Sequence, residues 1–456
     1  TLSMENGKWQ AVLESDFLAL GGFIPYPVEL DFSSLKLAID KVSGELKPLL
    51  HLSGNGGLVE NYNGSFLLRD TRGEFSLLNQ GKEERLILER ISGILGFDSK
   101  GASFYTDGIE FFLNGNPVKI SGRIDNLLAD NMEIFAHLKS NQFQIGKLDF
   151  LPEYLAVDGI VALDISLTGA SDNLAMNLDF SMAEGGVNNI SLENLTGKVR
   201  YNQGNFYLDK LNFILGDTGQ ISINGIYNRN HNYSFYLEGY YIDLALFQEM
   251  GIRGVEAFSP MSAMELSGRL NIMANLIGNG LALDQLLASG ELEIVEPGIH
   301  LPLSEFNFNK LRSSFYLTGR RLLLREGELL GQWGKLAFGG ELGPALNLHF
   351  HGDSLNLATL AAESGLKIEP EPGLKGKLEL NGIVRGNLAS PTLELVLASE
   401  EGSLYGIHYD SLTARLNYFA RELSIEELAL NYMDNLIQGT ASVGFLSGTP
   451  IVNASI

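Results

Sequence analysis

Residues 376–386 read Gly376-Lys-Leu-Glu-Leu-Asn-Gly-Ile-Val-Arg-Gly386: two glycines bracket a segment in which Leu378 and Leu380 alternate with Lys377, Glu379 and Asn381. A period of two puts successive side chains on opposite faces, so this is a strand with one apolar and one wet face. The alternation continues downstream through Leu393, Leu395 and Leu397, then through Leu412, Ala414, Leu416 and Tyr418. Upstream it recurs in Leu163, Ile165 and Leu167; in Leu174, Met176, Leu178 and Phe180; in Ile221 and Ile223; in Phe235 and Leu237; and in Leu346, Leu348 and Phe350. Half-wet strands in succession indicate antiparallel meanders, because parallel strands covered on both sides read as continuous apolar runs.

The bracketing glycines, ten residues apart, occur four times: Gly44 and Gly54, Gly159 and Gly169, Gly268 and Gly278, Gly376 and Gly386. A second marker follows each pair, an apolar residue, a small or polar one, then glycine: Ile120-Ser-Gly122, Ile223-Asn-Gly225, Phe338-Gly-Gly340 and Ile437-Gln-Gly439. The starts lie 115, 109 and 108 residues apart. That period exceeds one solenoid coil or propeller blade, so each repeat holds several strands. The expected units are 1–43 (the end of a preceding repeat), 44–158, 159–267, 268–375 and a partial 376–456, following connectors at Leu151-Pro152-Glu153, Gly251 to Pro260 and Ile368 to Gly373. Helical patterning is confined to 83–95, 242–250, 281–288 and 355–364.

Composition narrows the function. The 456 residues carry 32 Lys plus Arg against 55 Asp plus Glu, a net charge of −23, which leaves no basic surface for nucleic acid. With 45% apolar and 19% charged residues the chain folds rather than staying disordered. There is no cysteine, which removes disulfides, thiolate metal sites and cysteine nucleophiles. Fifty-two glycines against thirteen prolines fit a chain of many strands and turns. No apolar run reaches the length of a membrane helix. The start at Thr1-Leu2-Ser3-Met4 and the end at Ile456, inside a strand pattern, read as a piece of a longer protein.

The apolar parity needs a cover. About five strands per unit give some twenty in all, more than an open sheet holds without curling. One arrangement is a row of closed β-sandwiches; the other is a mainly β fold in which an elongated, curled antiparallel sheet forms a trough, a repeating β-groove shaped like a taco with a few short helices. In the trough the inward parity is Leu163, Ile165, Leu167, Leu174, Met176, Leu178, Phe180, Ile221, Ile223, Leu346, Leu348, Phe350, Leu378, Leu380, Val384, Leu393, Leu395, Leu397, Leu412 and Leu416. Such a lining suits hydrocarbon, each buried methylene contributing about 0.8 kcal/mol. The polar parity, with Lys377, Glu379, Arg385, Arg415 and Asn417, faces water. A transmembrane β-barrel also alternates, but the long repeat and interspersed helices have no place in a meander barrel.

The run from Gly376 to Leu395, followed by Glu401-Gly-Ser-Leu-Tyr-Gly-Ile-His-Tyr-Asp, Leu423-Ser-Ile-Glu-Glu-Leu-Ala-Leu430 and Ile437-Gln-Gly-Thr-Ala-Ser-Val443, resembles the repeats of the TamB family. That family belongs to the AsmA-like proteins of diderm bacterial envelopes, and the resemblance extends over about 300 residues. It implies kinship in architecture with bridge-like lipid transfer proteins. It further implies a periplasmic protein, anchored in the inner membrane by an N-terminal helix outside these residues, that passes phospholipids toward the outer membrane. The family is also associated with a barrel partner of the Omp85 type and with assembly of outer-membrane proteins and autotransporters. A scaffold for that assembly, or an adhesin of tandem sandwiches, is the competing function.

Chemistry-bearing motifs are sparse. His349-x-His351 places two imidazoles on the polar face of one strand without a placed carboxylate, a weak metal pattern that reads as solvated surface. Gly54-Asn-Gly-Gly57 completes neither nucleotide-binding pattern and reads as a turn. Glu83-Glu84, Glu400-Glu401 and Glu426-Glu427 are adjacent along strands and so diverge in direction. Neither enzyme activity, cofactor nor metal is expected.

Overall fold

The computed structural model describes all residues except 20–27, 33–34, 56–57, 80–81, 128–130, 148–155, 188–189, 247–264, 281–284, 302–303, 320, 364–372, 388–389, 405, 420–421, 434, 445–450 and 456. The described residues are almost all antiparallel β, 84% strand and 3% helix, and the fold class is mainly β, built of curled antiparallel ladders with few helical turns. The strands begin with β1 (Leu2–Glu5), β2 (Lys8–Glu14), β3 (Leu18–Ala19), β4 (Val28–Phe32), β5 (Leu35–Asn55), β6 (Leu58–Asn79), β7 (Lys82–Asp98) and β8 (Ser103–Leu113). They continue with β9 (Asn116–Asp125), β10 (Glu133–Gln144), β11 (Val157–Ala170), β12 (Asn173–Val187), β13 (Ile190–Asn202), β14 (Asn205–Leu215), β15 (Gly219–Asn228) and β16 (Asn232–Asp243). Next come β17 (Glu265–Asn279), β18 (Leu287–Leu301), β19 (Ser304–Asn307), β20 (Lys310–Thr318), β21 (Arg321–Gly331), β22 (Gly334–Leu342), β23 (Leu346–Asn356) and, after helix α1 (Leu357–Glu363), β24 (Leu374–Asn387). The last are β25 (Ser390–Ser399), β26 (Gly402–Leu404), β27 (Ile407–Tyr409), β28 (Ser411–Phe419), β29 (Glu422–Tyr432), β30 (Asn435–Gly444) and β31 (Ile451–Ser455).

The chain divides into two compact units: Thr1–Ile214 with Asn224–Arg229, and Leu215–Ile223 with Asn230–Ile456. In the first, β2, β5 to β12 and β13 pair in sequence as antiparallel neighbours, with β1 beside β2 and β3 and β4 beside β5. In the second, β16, β17, β18, β20 to β25 and β28 to β31 do the same, while β26 and β27 form a short separate ladder on β24. Each is one meandering ladder, not the two facing sheets of a sandwich.

Bulges recur across these ladders. Register slips between Leu68 and Thr71, Ser140 and Phe143, Gly239 and Ile242, Leu324 and Gly327, and Gly352 and Leu355. An extra residue in one strand kinks it and switches which parity points to a given face. Asp70, Arg90, Tyr241, Glu296, Glu326 and Ser354 sit at these bends with φ of 43° to 56°. The first glycine of each bracketing pair has φ between 122° and 142°, a backbone that side-chain-bearing residues avoid.

Two of the expected helices change. Residues 83–95 are strand, within β7, because the bend at Arg90 inserts a spacing of three between Leu88 and Ile91 and imitates a helical period. Leu287 and Ala288 open strand β18, and 281–284 lie outside the described residues. Ala245 and Leu246 are helical, with 247–250 likewise outside them. The fourth is α1, capped by the Asn356 side chain, whose Oδ1 accepts the Thr359 backbone N–H at 3.0 Å. Among the described residues no helix is long and apolar enough to cross a membrane.

Candidate apolar groove

Directly opposed residues of antiparallel strands share a face, so the register traces one face through each unit. In the first unit Leu13 opposes Leu50, Pro48 opposes Phe66, Phe66 opposes Leu95, and Phe97 opposes Phe104. Phe104 opposes Ile124, Ile124 opposes Ile134, Leu138 opposes Ile165, Ile165 opposes Leu178, and Leu178 opposes Val199. In the second, the path runs Phe235, Leu276, Ala288, Leu317 and Leu322. It resumes at Leu324 and passes Gly340, Leu348, Val384, Leu393, Tyr418, Leu423 and Val443.

The residues expected to line a trough fall on these faces. Leu163, Ile165 and Leu167 oppose Phe180, Leu178 and Met176, and Leu174 opposes Gly169. Leu348 opposes Val384, Phe350 opposes Gly382, and Val384, Gly382 and Leu380 oppose Leu393, Leu395 and Leu397. Leu395 and Leu416 form the next pair, and Leu412 lies opposite Ser399 and Leu430. Leu346 opposes Gly386 and is buried at its hairpin end. Ile221 and Ile223 belong to the second unit, where Ile221 is buried next to Ile242 and Ile272 around Gly239.

Burial along each strand is uneven. Leu163, Ile165, Leu167, Leu174, Met176, Leu178 and Phe180 are half-buried, as are Leu348, Phe350, Leu380, Val384, Leu393, Leu395 and Leu397. Beyond the bulges the same face is shut: Val161, Met182, Ile242 and Leu378 are each 3% exposed, and Leu355 is 0%. There Trp333, Leu355 and Leu378 form a cluster to which Phe308, Leu329, Leu336, Leu357, Leu360, Leu380 and Leu397 add, so α1 seals that edge. Leu378 is consequently core rather than open lining, and Leu380 stands at the boundary. In the first unit Ile109, Phe111, Val118 and Phe143 make the corresponding cluster. Asn116 is fully buried beside it; its Oδ1 accepts the Gln144 N–H at 2.7 Å, which satisfies a polar group that would otherwise be costly there.

Six aromatics on the apolar faces lie opposite glycines that their rings cover: Trp9 and Gly54, Phe97 and Gly64, Phe180 and Gly197, Tyr233 and Gly278, Phe338 and Gly327, Phe350 and Gly382. Alternation alone does not reveal these pairs, since each joins residues of different strands.

The opposite face is charged. Asp164 meets His137 at 2.5 Å and Lys139 at 3.9 Å, and Asp179 meets Lys198 at 3.5 Å. Arg200 donates two hydrogen bonds of 2.6 Å to Asp209, holding that carboxyl below its usual range. Glu328 pairs with both Lys335 and Arg312, and these hydrogen bonds lower its pKa. Such exposed pairs contribute little stability each but keep this face wet. Glu379, Arg385 and Arg415 are exposed here. Two shallow depressions of about 530 and 490 Å³ lie on this face, formed where short residues such as Ala162 and Ser181 sit among longer charged ones.

His349 and His351 are exposed on the charged face. His351 Nδ1 lies 2.6 Å from Asn381 Oδ1 and Nε2 3.0 Å from Asp353, and the ligand atoms of His351, Asp353 and Glu379 lie within 4.8 Å of one another. Glu426 and Glu427 are both exposed, with Glu427 opposite Arg415. No family profile, curated protein or solved structure matches the chain.

Proposed function

We propose that these apolar faces hold the acyl chains of phospholipids, and that the protein passes lipids between the membranes of a bacterial envelope in support of outer-membrane biogenesis. The observation that carries this reading is the uneven burial: in each unit one apolar face is sealed past the bulges, while elsewhere most of its large side chains are half-buried, with buried points at Ile134 in the first unit and at Ala274, Ala288 and Phe315 in the second. A ligand with long apolar tails completes such a face, at about 0.8 kcal/mol per buried methylene, while its polar head remains at the open edge. Hydrophobic contact is non-directional, so a uniform lining lets tails slide across strands. The resemblance of residues 376–443 to TamB repeats supports a periplasmic location, an inner-membrane anchor outside these residues, and an Omp85-type barrel as partner. The chemistry is passage, not catalysis. The test is purification from bacterial cells without detergent, followed by mass spectrometry of extracted lipid. Several phospholipids per chain are expected; a folded, lipid-free protein overturns the reading in favour of a protein-binding scaffold.

A further inference from the structure

Gly197 and Gly382 stand in the middle of strands, where glycine is unfavourable because it packs nothing and loses the most backbone freedom. Neither has a positive φ, so backbone geometry does not require them. Space does. A Cβ on Gly197 falls 2.1 Å from Cζ of Phe180, and one on Gly382 falls 2.2 Å from Cε2 and Cζ of Phe350. Each ring occupies the volume of the missing side chain, so it lies down on the neighbouring strand instead of standing out from the sheet. Both phenylalanines are half-buried, each between its glycine and an apolar residue on the other neighbouring strand, Leu163 for Phe180 and Phe338 for Phe350.

Aromatic cover of a strand glycine also stabilises sheets whatever their function. Its placement here is one-sided: six such pairs lie on the apolar faces, whereas in the main ladders the described charged face shows two, Tyr105 over Gly96 and, less closely, the His349 imidazole against Gly339. Aromatics of the charged face meet arginine instead, as with Phe135 under Arg123 at 5.0 Å and Tyr316 under Arg325 at 5.0 Å. The cleared side is the one that takes the tails.

We propose that Gly197 and Gly382 are positioning residues that keep Phe180 and Phe350 flat, and thereby set the clearance through which acyl chains pass; this rests on the acyl-chain reading above. An added methyl at either glycine lifts the ring into the groove without changing its hydrophobicity.

The experiment uses the 456-residue chain with Gly382→Ala, Gly197→Ala and the double variants Gly382→Ala/Phe350→Ala and Gly197→Ala/Phe180→Ala. Transfer of pyrene-labelled phosphatidylglycerol between phosphatidylcholine vesicles is followed, with circular dichroism as the check on folding. Each single variant is expected to fold and to lose at least threefold in transfer rate, and each double variant to recover to within twofold of the parent. Unchanged transfer in folded single variants, or no recovery in folded double variants, overturns the proposal. Should an alanine variant unfold, Phe350→Leu and Phe180→Leu decide: retained or faster transfer supports the clearance role, and loss of transfer with an intact fold refutes it. Glycine-selective NMR gives a reading independent of lipid, since a ring lying over Gly382 shifts its Hα resonance upfield; an unshifted resonance also overturns the proposal. A parent protein that moves no probe refutes the acyl-chain reading instead, while the upfield shift still reports the ring geometry.

Discussion

Truncating Leu355 and Leu395 to alanine should separate the sealed edge from the open face. Leu355 is fully buried between Trp333 and Leu378, so Leu355→Ala removes its contacts and leaves a cavity that the surrounding strands and α1 fill only partly. The expected cost is about 3–5 kcal/mol, the range for leucine in a closed core. Leu395 opposes Gly382 and Leu416 on the same face but is only half-buried. Part of its surface is already outside any core and little cavity forms, so Leu395→Ala should cost about 1 kcal/mol. A long meander of nearest-neighbour strands need not unfold as one unit, so the measurement is native-state hydrogen exchange at the amides of β24, which borders both sites. Protection should fall by about 150-fold or more for Leu355→Ala and by about tenfold or less for Leu395→Ala. Equal losses would mean that Leu395 is enclosed as tightly as Leu355 and that no open groove exists there.

Three further outcomes follow from the same geometry. Gly268→Ala forces a side chain onto φ 122° with its Cβ 3.0 Å from Ile294 Cγ2, and should destabilise the β17–β18 pairing by about 1–3 kcal/mol, seen as faster local exchange; an unaffected pairing would show that the bulge does not need glycine. The pKa of Glu328 is lowered by hydrogen bonds from Lys335 and Arg312, so its contribution is present above the ordinary glutamate value and lost as pH falls through the depressed folded value; Glu328→Gln should remove that acid-side loss in exchange across β20 to β22. Hydrogen bonds to Asn381 and then Asp353 raise the pKa of His351, so its contribution is complete below the ordinary histidine value and disappears as pH rises through the raised one. Asn381→Ala should move the His351 NMR titration midpoint downward, and an unmoved midpoint would show that this hydrogen bond is absent in solution.

Strands were legible wherever the period of two ran uninterrupted, as in Leu163 to Leu167 or Leu346 to Phe350. It misled where a bulge intervened: Leu88 and Ile91 lie three apart, a helical spacing in sequence, yet both belong to β7. Which inward residues are enclosed was not legible from parity, because Leu378 and Leu380 share a parity and touch the same cluster, yet one is buried and the other half-buried. The cover of Leu378 comes from Trp333, Leu355 and α1, distant in sequence or across a bulge. A signal was nonetheless present. Two residues after the first glycine of three of the four pairs stand Val161, Leu270 and Leu378, all buried where the glycine bend turns the following apolar residue into the sealed edge, whereas Leu46 after Gly44 is half-buried. The aromatic–glycine pairs needed the register, since Phe180 and Gly197 are neighbours only through the β12–β13 ladder.

An open apolar groove that carries lipid is tested by in-cell photo-crosslinking from positions 395 and 394, adjacent residues whose side chains face the half-buried apolar side and the exposed charged side. A photoreactive residue at 395 should yield crosslinked phospholipid, identified by mass spectrometry of the isolated band, while one at 394 yields none above background. Equal yields from the two positions, or none from 395 in a folded protein, would contradict acyl-chain occupancy of this face.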